Sequence, residues 1–135
     1  MKTTETVGMV GLGNMGHPIA LNLIEAGYRI VGYEIDVNRR KPTDQLSYVE
    51  DLESLANKTT VILLSLPDGS AVEKVVGELL TFNVPHKLEV VDTSTIGTKA
   101  SQAIGHSVHN TGLEYLDSPV SVSYTHLTLP TNREV

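Results

Sequence analysis

Three glycines at fixed spacing, in Gly11-Leu12-Gly13-Asn14-Met15-Gly16, lie between a strand-like segment and a helix-like one. No other feature restricts the fold of this chain as much. Thr6 to Val10 is short, apolar and bounded by glycine, which reads as a buried strand. Beyond Gly16, the residues Ile19, Ala20, Leu23 and Ile24 recur at helical spacing, and Gly27 stands where a helix C-cap belongs. In such a strand-turn-helix unit each glycine has a task. Gly11 permits the tight turn, Gly13 lets the backbone approach a pyrophosphate, and Gly16 lets helix and strand pack closely. The helix start adds free N–H groups and a partial positive charge that favour phosphate. A glycine-rich turn without a ligand carries the same string, so its surroundings decide between the two readings.

The surroundings supply an acidic residue about 20 positions on, where the second strand of a dinucleotide-binding unit ends and a carboxylate accepts hydrogen bonds from ribose hydroxyls. Glu34 occupies that place, directly after the strand-like Arg29 to Tyr33. A carboxylate there repels a 2′-phosphate, which favours NAD over NADP. Arg39, Arg40 and Lys41 leave NADP open, because they are near enough in sequence to reach such a phosphate; a solvated loop is their plainer role.

The rest of the chain alternates. Asp36 to Asp44 is polar with Pro42 inside it, so any helix there is short. Leu46 to Val49 reads as a brief strand, Asp51 caps a short helix to Ala56, and Thr60 to Leu66 is strongly strand-like before Pro67-Asp68-Gly69. Ala71, Val72, Val75, Val76, Leu79 and Leu80 repeat at helical spacing. Leu88 to Asp92, Gly97 to Asn110 and Leu113 to Leu116 then read as strand, helix and strand. Parallel neighbours need a crossover of a dozen or more residues, so this alternation predicts an α/β fold, a Rossmann-type doubly wound parallel sheet of about six strands in two halves. With 135 residues the chain holds one domain.

Composition excludes several functions. Ten Lys and Arg against sixteen Asp and Glu, a net charge of −6, leave no basic face for nucleic acid. Cysteine is absent, which removes disulfides, thiolate nucleophiles and Cys-ligated zinc. Val61 to Leu64, the longest apolar run, is far short of the roughly 20 residues of a membrane helix. Together these read as an acidic cytoplasmic protein that binds neither membrane nor nucleic acid. His106 and His109 lack a third ligand, so no metal site is expected, and nothing resembles a Ser-His-Asp order. His17 reads as an exposed helix-start residue, with phosphate contact as its alternative. Lys99 reads as a surface lysine, with the cleft as its alternative.

Val10-Gly-Leu-Gly-Asn-Met-Gly16 with Pro18, Asn22-Leu23 and Ala26-Gly27 resembles the β-hydroxyacid dehydrogenase family, the 3-hydroxyisobutyrate dehydrogenase-like enzymes. Leu66-Pro67-Asp68 with Ala71-Val72, Asp92-Thr-Ser-Thr-Ile96 and Leu116-Asp117-Ser118-Pro119-Val120-Ser121 follow in the family's order. The resemblance implies that Gly11, Leu12, Gly13, Asn14, Met15, Gly16, Leu66, Pro67 and Thr95 line the cofactor pocket, and that Ser121 meets the substrate's carboxylate. It also implies hydride transfer between a small 3-hydroxyacid and the nicotinamide, a helical substrate domain and a homo-oligomeric full-length protein. Two departures stand out. The segment from Glu34 to Thr60 is short for the family's second helix, and the family's G-x-G-x-x-x-K-x-x-N string with its catalytic lysine does not occur, so no catalytic residue is expected within this chain. The fragment of a dehydrogenase and a catalytically inert nucleotide-binding module both satisfy these residues.

The resemblance ends at Ser121. Val122-Ser-Tyr-Thr-His-Leu-Thr-Leu-Pro-Thr131 reads, codon by codon, as the translation of a widely used transposase sequencing adapter. Residues 1–121 are therefore expected to form the dinucleotide-binding domain and residues 122–135 a non-native tail, with no functional weight on Tyr124 or His126.

Overall fold

Strand β1 (Thr6–Val10) runs through the interior with four of its five residues buried, the pattern of a strand covered on both faces. The computed structural model describes residues 5–12, 16–94 and 96–118. After β1 come α1 (Gly16–Glu25), β2 (Arg29–Tyr33), β3 (Leu46–Tyr48), α2 (Leu52–Lys58), β4 (Val61–Leu64), α3 (Gly69–Thr81), β5 (Leu88–Asp92), α4 (Thr98–Val108) and β6 (Leu113–Asp117). The six strands make one sheet in the order β3-β2-β1-β4-β5-β6. Every neighbouring pair is parallel. The sheet therefore splits at β1 and β4 into two halves that run outward in opposite directions, and the crevice between them is where ligands bind such sheets.

Alternate strand residues feed two cores. Ile62, Leu64 and Val90 pack with Leu55, Val72, Val76 and Ile104, so α2, α3 and α4 cover one face. Val61, Leu63 and Val91 join Ile19, Ala20 and Leu23 of α1 on the other. Capping sets the helix starts: Asp51 accepts the Ser54 amide at 2.7 Å and Asp68 the Ala71 amide at 2.9 Å. Gly27, at φ +107°, takes the left-handed turn that brings the chain from α1 back into β2.

The expected elements are all present, with ends shifted by one or two residues. The β2–β3 crossover, where at most a short helix was expected, holds a single 3-10 turn, Val37–Arg39. Side chains tie this strap down instead. Arg40 Nε donates to the Glu34 carbonyl at 2.9 Å, its guanidinium lies 5.8 Å over the Tyr48 ring, and the Tyr48 hydroxyl accepts the Lys41 amide at 3.0 Å. Among the described residues no helix is long and apolar enough to cross a membrane.

Candidate cofactor-binding site

The turn leaving β1 passes so close to its neighbours that side chains are excluded. Gly11 has φ +86°, and a Cβ there would collide with the Ser65 carbonyl oxygen; a Cβ on Gly16 would collide with the Gly11 carbonyl oxygen. Both positions thus demand glycine, the first for conformation and space and the second for space alone. The Ser65 amide donates to the Val10 carbonyl at 3.0 Å, which seats the end of β4 beside this turn.

Glu34 closes the turn from the β2 side. Only 8% exposed, it accepts the Leu12 amide at 2.8 Å on Oε1 and the Asp36 amide at 3.1 Å on Oε2. A carboxylate offers about four acceptor sites, so both oxygens keep capacity for ribose hydroxyls. Leu12 serves the site from within the core: its side chain is 2% exposed and its N–H is engaged by Glu34, so it offers the turn's shape and no side-chain contact to a ligand. Of the basic cluster, Arg40 is held by the Glu34 carbonyl and by Glu50 at 3.4 Å, and Arg39 lies 3.8 Å from Asp36 at the surface.

A cavity of about 300 Å³ opens beside the turn, lined by Gly11, Glu34, Ile35, Leu66, Ala71 and Val75 among others. Ile35 is 79% exposed at its rim, an apolar side chain held in solvent next to a carboxylate. Sequence reading missed Ile35, Ala71 and Val75. The signal was present, because Val72 and Val76 fill the core while Ala71 and Val75, one residue earlier in the same repeat, turn toward the end of β2. A larger hollow of about 490 Å³ sits beside the outer strand β6, lined by Val108, His109 and Tyr115, away from the glycine turn.

Across the crevice, the ends of β4, β5 and β6 are joined by polar groups. The Leu66 amide donates to Ser94 Oγ at 2.8 Å, the Ser94 amide donates to Asp92 Oδ1 at 2.9 Å, and the Tyr115 hydroxyl donates to Asp92 Oδ2 at 2.5 Å. Asp92 is fully buried and Ser94 is 4% exposed. Burial first, and then the bond to the Asp92 carboxylate, push the Tyr115 hydroxyl well above the usual range for tyrosine. Leu66 lines the cavity beside Gly11 and Glu34, and Pro67 follows it, exposed. Gly13, Asn14, Met15, Thr95 and Ser121 lie outside the described residues.

His17 is half-buried in the first turn of α1, against the expectation of an exposed residue, because it stands between the buried Gly16 and Ile19, which face the core. Its Nδ1 is buried and has no hydrogen-bond partner among the described residues. An orphaned ring nitrogen at a helix start, beside a turn that only glycine can make, fits a phosphate-bearing cofactor. Lys99 lies on the exposed face of α4. No group of three or more His, Asp or Glu able to hold a metal occurs among the described residues.

Residues 6–126 match the family described as the NAD binding domain of 6-phosphogluconate dehydrogenase. The chain belongs to that family. Among relatives of this NAD-binding domain, mouse mitochondrial 3-hydroxyisobutyrate dehydrogenase is 31% identical over 125 residues, 90% of this chain and 37% of the mouse protein. The 3-hydroxyisobutyrate dehydrogenase of Pseudomonas aeruginosa is 31% identical over 124 residues, 85% of this chain and 40% of the bacterial one. The solved Mycobacterium tuberculosis 3-hydroxyisobutyrate dehydrogenase with L-serine superposes with a TM-score of 0.77 at 23% identity, over 88% of this chain and 41% of that one. The chain thus spans about two fifths of the length of these relatives.

Proposed function

We propose that this NAD(P)-binding domain serves an oxidoreductase that moves hydride between a small 3-hydroxyacid and NAD, and that the chemistry is completed by a domain outside this chain. The observation that carries the reading is the Glu34 carboxylate, fixed at the glycine turn by the Leu12 and Asp36 amides. Bound there, a nicotinamide cofactor supplies a hydride acceptor or donor at ring carbon C4.

The chain's own residues do the holding. The turn from Gly11 to Gly16 brings backbone to the pyrophosphate, and the start of α1 gives it N–H groups with His17 alongside. Glu34 takes the adenosine ribose, while Ile35, Leu66 and Val75 give the adenine an apolar slot. Pro67 lines the cofactor pocket beside Leu66, Thr95 meets the nicotinamide side, and Ser121 meets the substrate's carboxylate. NAD is favoured over NADP because a 2′-phosphate would meet the Glu34 carboxylate, and the nearest guanidinium, that of Arg40, is engaged with the strap. As the family resemblance implies, the full-length protein is a homo-oligomer, and its acidic, cysteine-free composition favours the cytoplasm.

Titration calorimetry of the purified chain tests this: saturable NAD binding is expected, with NADP weaker, and no oxidation of 3-hydroxyisobutyrate by the chain alone. Stronger binding of NADP than NAD contradicts the cofactor assignment. Residues 122–135 are proposed as adapter read-through, and a genomic frame that encodes them intact contradicts that.

A further inference from the structure

We infer that Lys74 of α3 is the cation that meets a 2′-phosphate in this pocket, so that it, rather than the basic cluster after Glu34, sets how strongly NADP is disfavoured. This rests on the cofactor reading above and deepens it by one specificity-determining residue. Three observations converge on it.

The first is the face of α3 that the lysine occupies. Asp68 caps the helix through the Ala71 amide, which fixes where its turns begin. Val72, Val76 and Leu79 then face the core, whereas Ala71, Lys74, Val75 and Glu78, three and four positions apart, share the stripe that lines the cavity beside Glu34. The second is position along the helix. Because α3 starts just past the carboxyl end of β4, its first two turns stand at the edge of the sheet where ligands bind. Lys74 falls inside those turns, and Glu78, of opposite charge, lies one turn farther off, about 6 Å along the axis.

The third is charge. Among the described residues that line this cavity, Lys74 is the one cation. It has no ion-pair partner among the described residues, Glu78 included. Arg39 and Arg40, by contrast, are paired with Asp36 and Glu50, and neither they nor Lys41 line the cavity. A 2′-phosphate adds negative charge beside the Glu34 carboxylate. An ammonium on a flexible four-carbon stem reaches such a group as a point charge that needs no fixed geometry. The 2′-hydroxyl of NAD carries no charge, so loss of the lysine acts on NADP and spares NAD.

The test titrates NAD and NADP calorimetrically into the full chain as wild type, Lys74→Ala, Lys74→Arg and Arg40→Ala, and repeats Lys74→Ala in Glu34→Gln, where NADP binds more tightly. In both backgrounds Lys74→Ala is expected to raise the ratio of NADP to NAD dissociation constants about fivefold, the upper end for one exposed charge pair, with NAD itself within about twofold. Lys74→Arg retains the charge and is expected to retain the ratio. Arg40→Ala removes the same charge from the strap and is expected to leave the ratio within about twofold. An unchanged ratio in Lys74→Ala overturns the inference, and so does equal weakening of both cofactors, the result for a residue that serves only the helix or the pyrophosphate. A larger rise in Arg40→Ala than in Lys74→Ala overturns it as well. Wild-type chain that binds neither cofactor overturns instead the reading beneath it.

Discussion

The Glu34 carboxylate and the Leu12 amide, 22 positions apart in sequence, meet at 2.8 Å and lock the end of β2 to the glycine turn. One acidic residue therefore shapes the turn and, in the proposed binding mode, also meets the sugar. Glu34→Gln retains the shape but replaces one acceptor oxygen with a donor, so either Leu12 or Asp36 loses its partner. Urea denaturation is expected to show a loss of about 1–2 kcal/mol. With the negative charge gone, the ratio of NADP to NAD dissociation constants is expected to fall by about tenfold, or 1.4 kcal/mol. An unchanged ratio contradicts the role given to the carboxylate.

Gly11→Ala places a Cβ against the Ser65 carbonyl oxygen at a φ of +86°. A loss of at least about 2 kcal/mol is expected in chemical denaturation. Gly77→Ala is the matched control, because a Cβ at this position inside α3 meets nothing within 4 Å. It is expected to stabilise the chain by about 0.5–1 kcal/mol through helix propensity. Equal effects at the two glycines would contradict the crowding described for the turn.

Most of the fold was legible in the sequence because its signals are local. Glycine spacing marked the β1–α1 turn, short apolar runs marked the strands, helical spacing marked the helices, and Asp51 announced its own cap. The site was legible only in outline. An acidic residue at position 34 is visible in the sequence, but its grip on Leu12 depends on two strands lying side by side. Asp92 and Ser94 stood within a quoted motif, yet their part depends on Leu66 and Tyr115, brought to them by parallel pairing of β5 with β4 and β6. The strap from Glu34 to Gln45 was expected to be short, whereas Arg40 stacking on Tyr48 as its fastening follows from contacts no local pattern encodes.

Tyr115→Phe removes the hydroxyl from Asp92 Oδ2 and leaves a buried carboxylate oxygen without that donor, a loss of about 1–3 kcal/mol near neutral pH. The folded-state pKa of Tyr115 is raised, so its contribution is complete below the unfolded value of about 10 and is lost as pH climbs toward the folded one. The stability gap between wild type and Tyr115→Phe is thus expected to narrow above about pH 10 in thermal melts. A gap that is constant to pH 11 contradicts the assigned bond.

Arg40→Ala frees the strap from the Glu34 carbonyl and the Tyr48 ring, with an expected loss of about 1–2 kcal/mol. Because that guanidinium is already engaged, the NADP to NAD ratio is expected to stay within about twofold. A selective loss of NADP affinity would show that Arg40 turns to the 2′-phosphate.

Calorimetric titration of NAD into the purified chain addresses the glycine turn and Glu34 most directly. Saturable one-to-one binding with a dissociation constant of roughly 0.1–1 mM is expected, weak because the chain spans only about two fifths of the length of its relatives, with Gly11→Ala abolishing it. Absence of saturable heat in the wild type at several millimolar NAD, or undiminished binding by Gly11→Ala, contradicts the account.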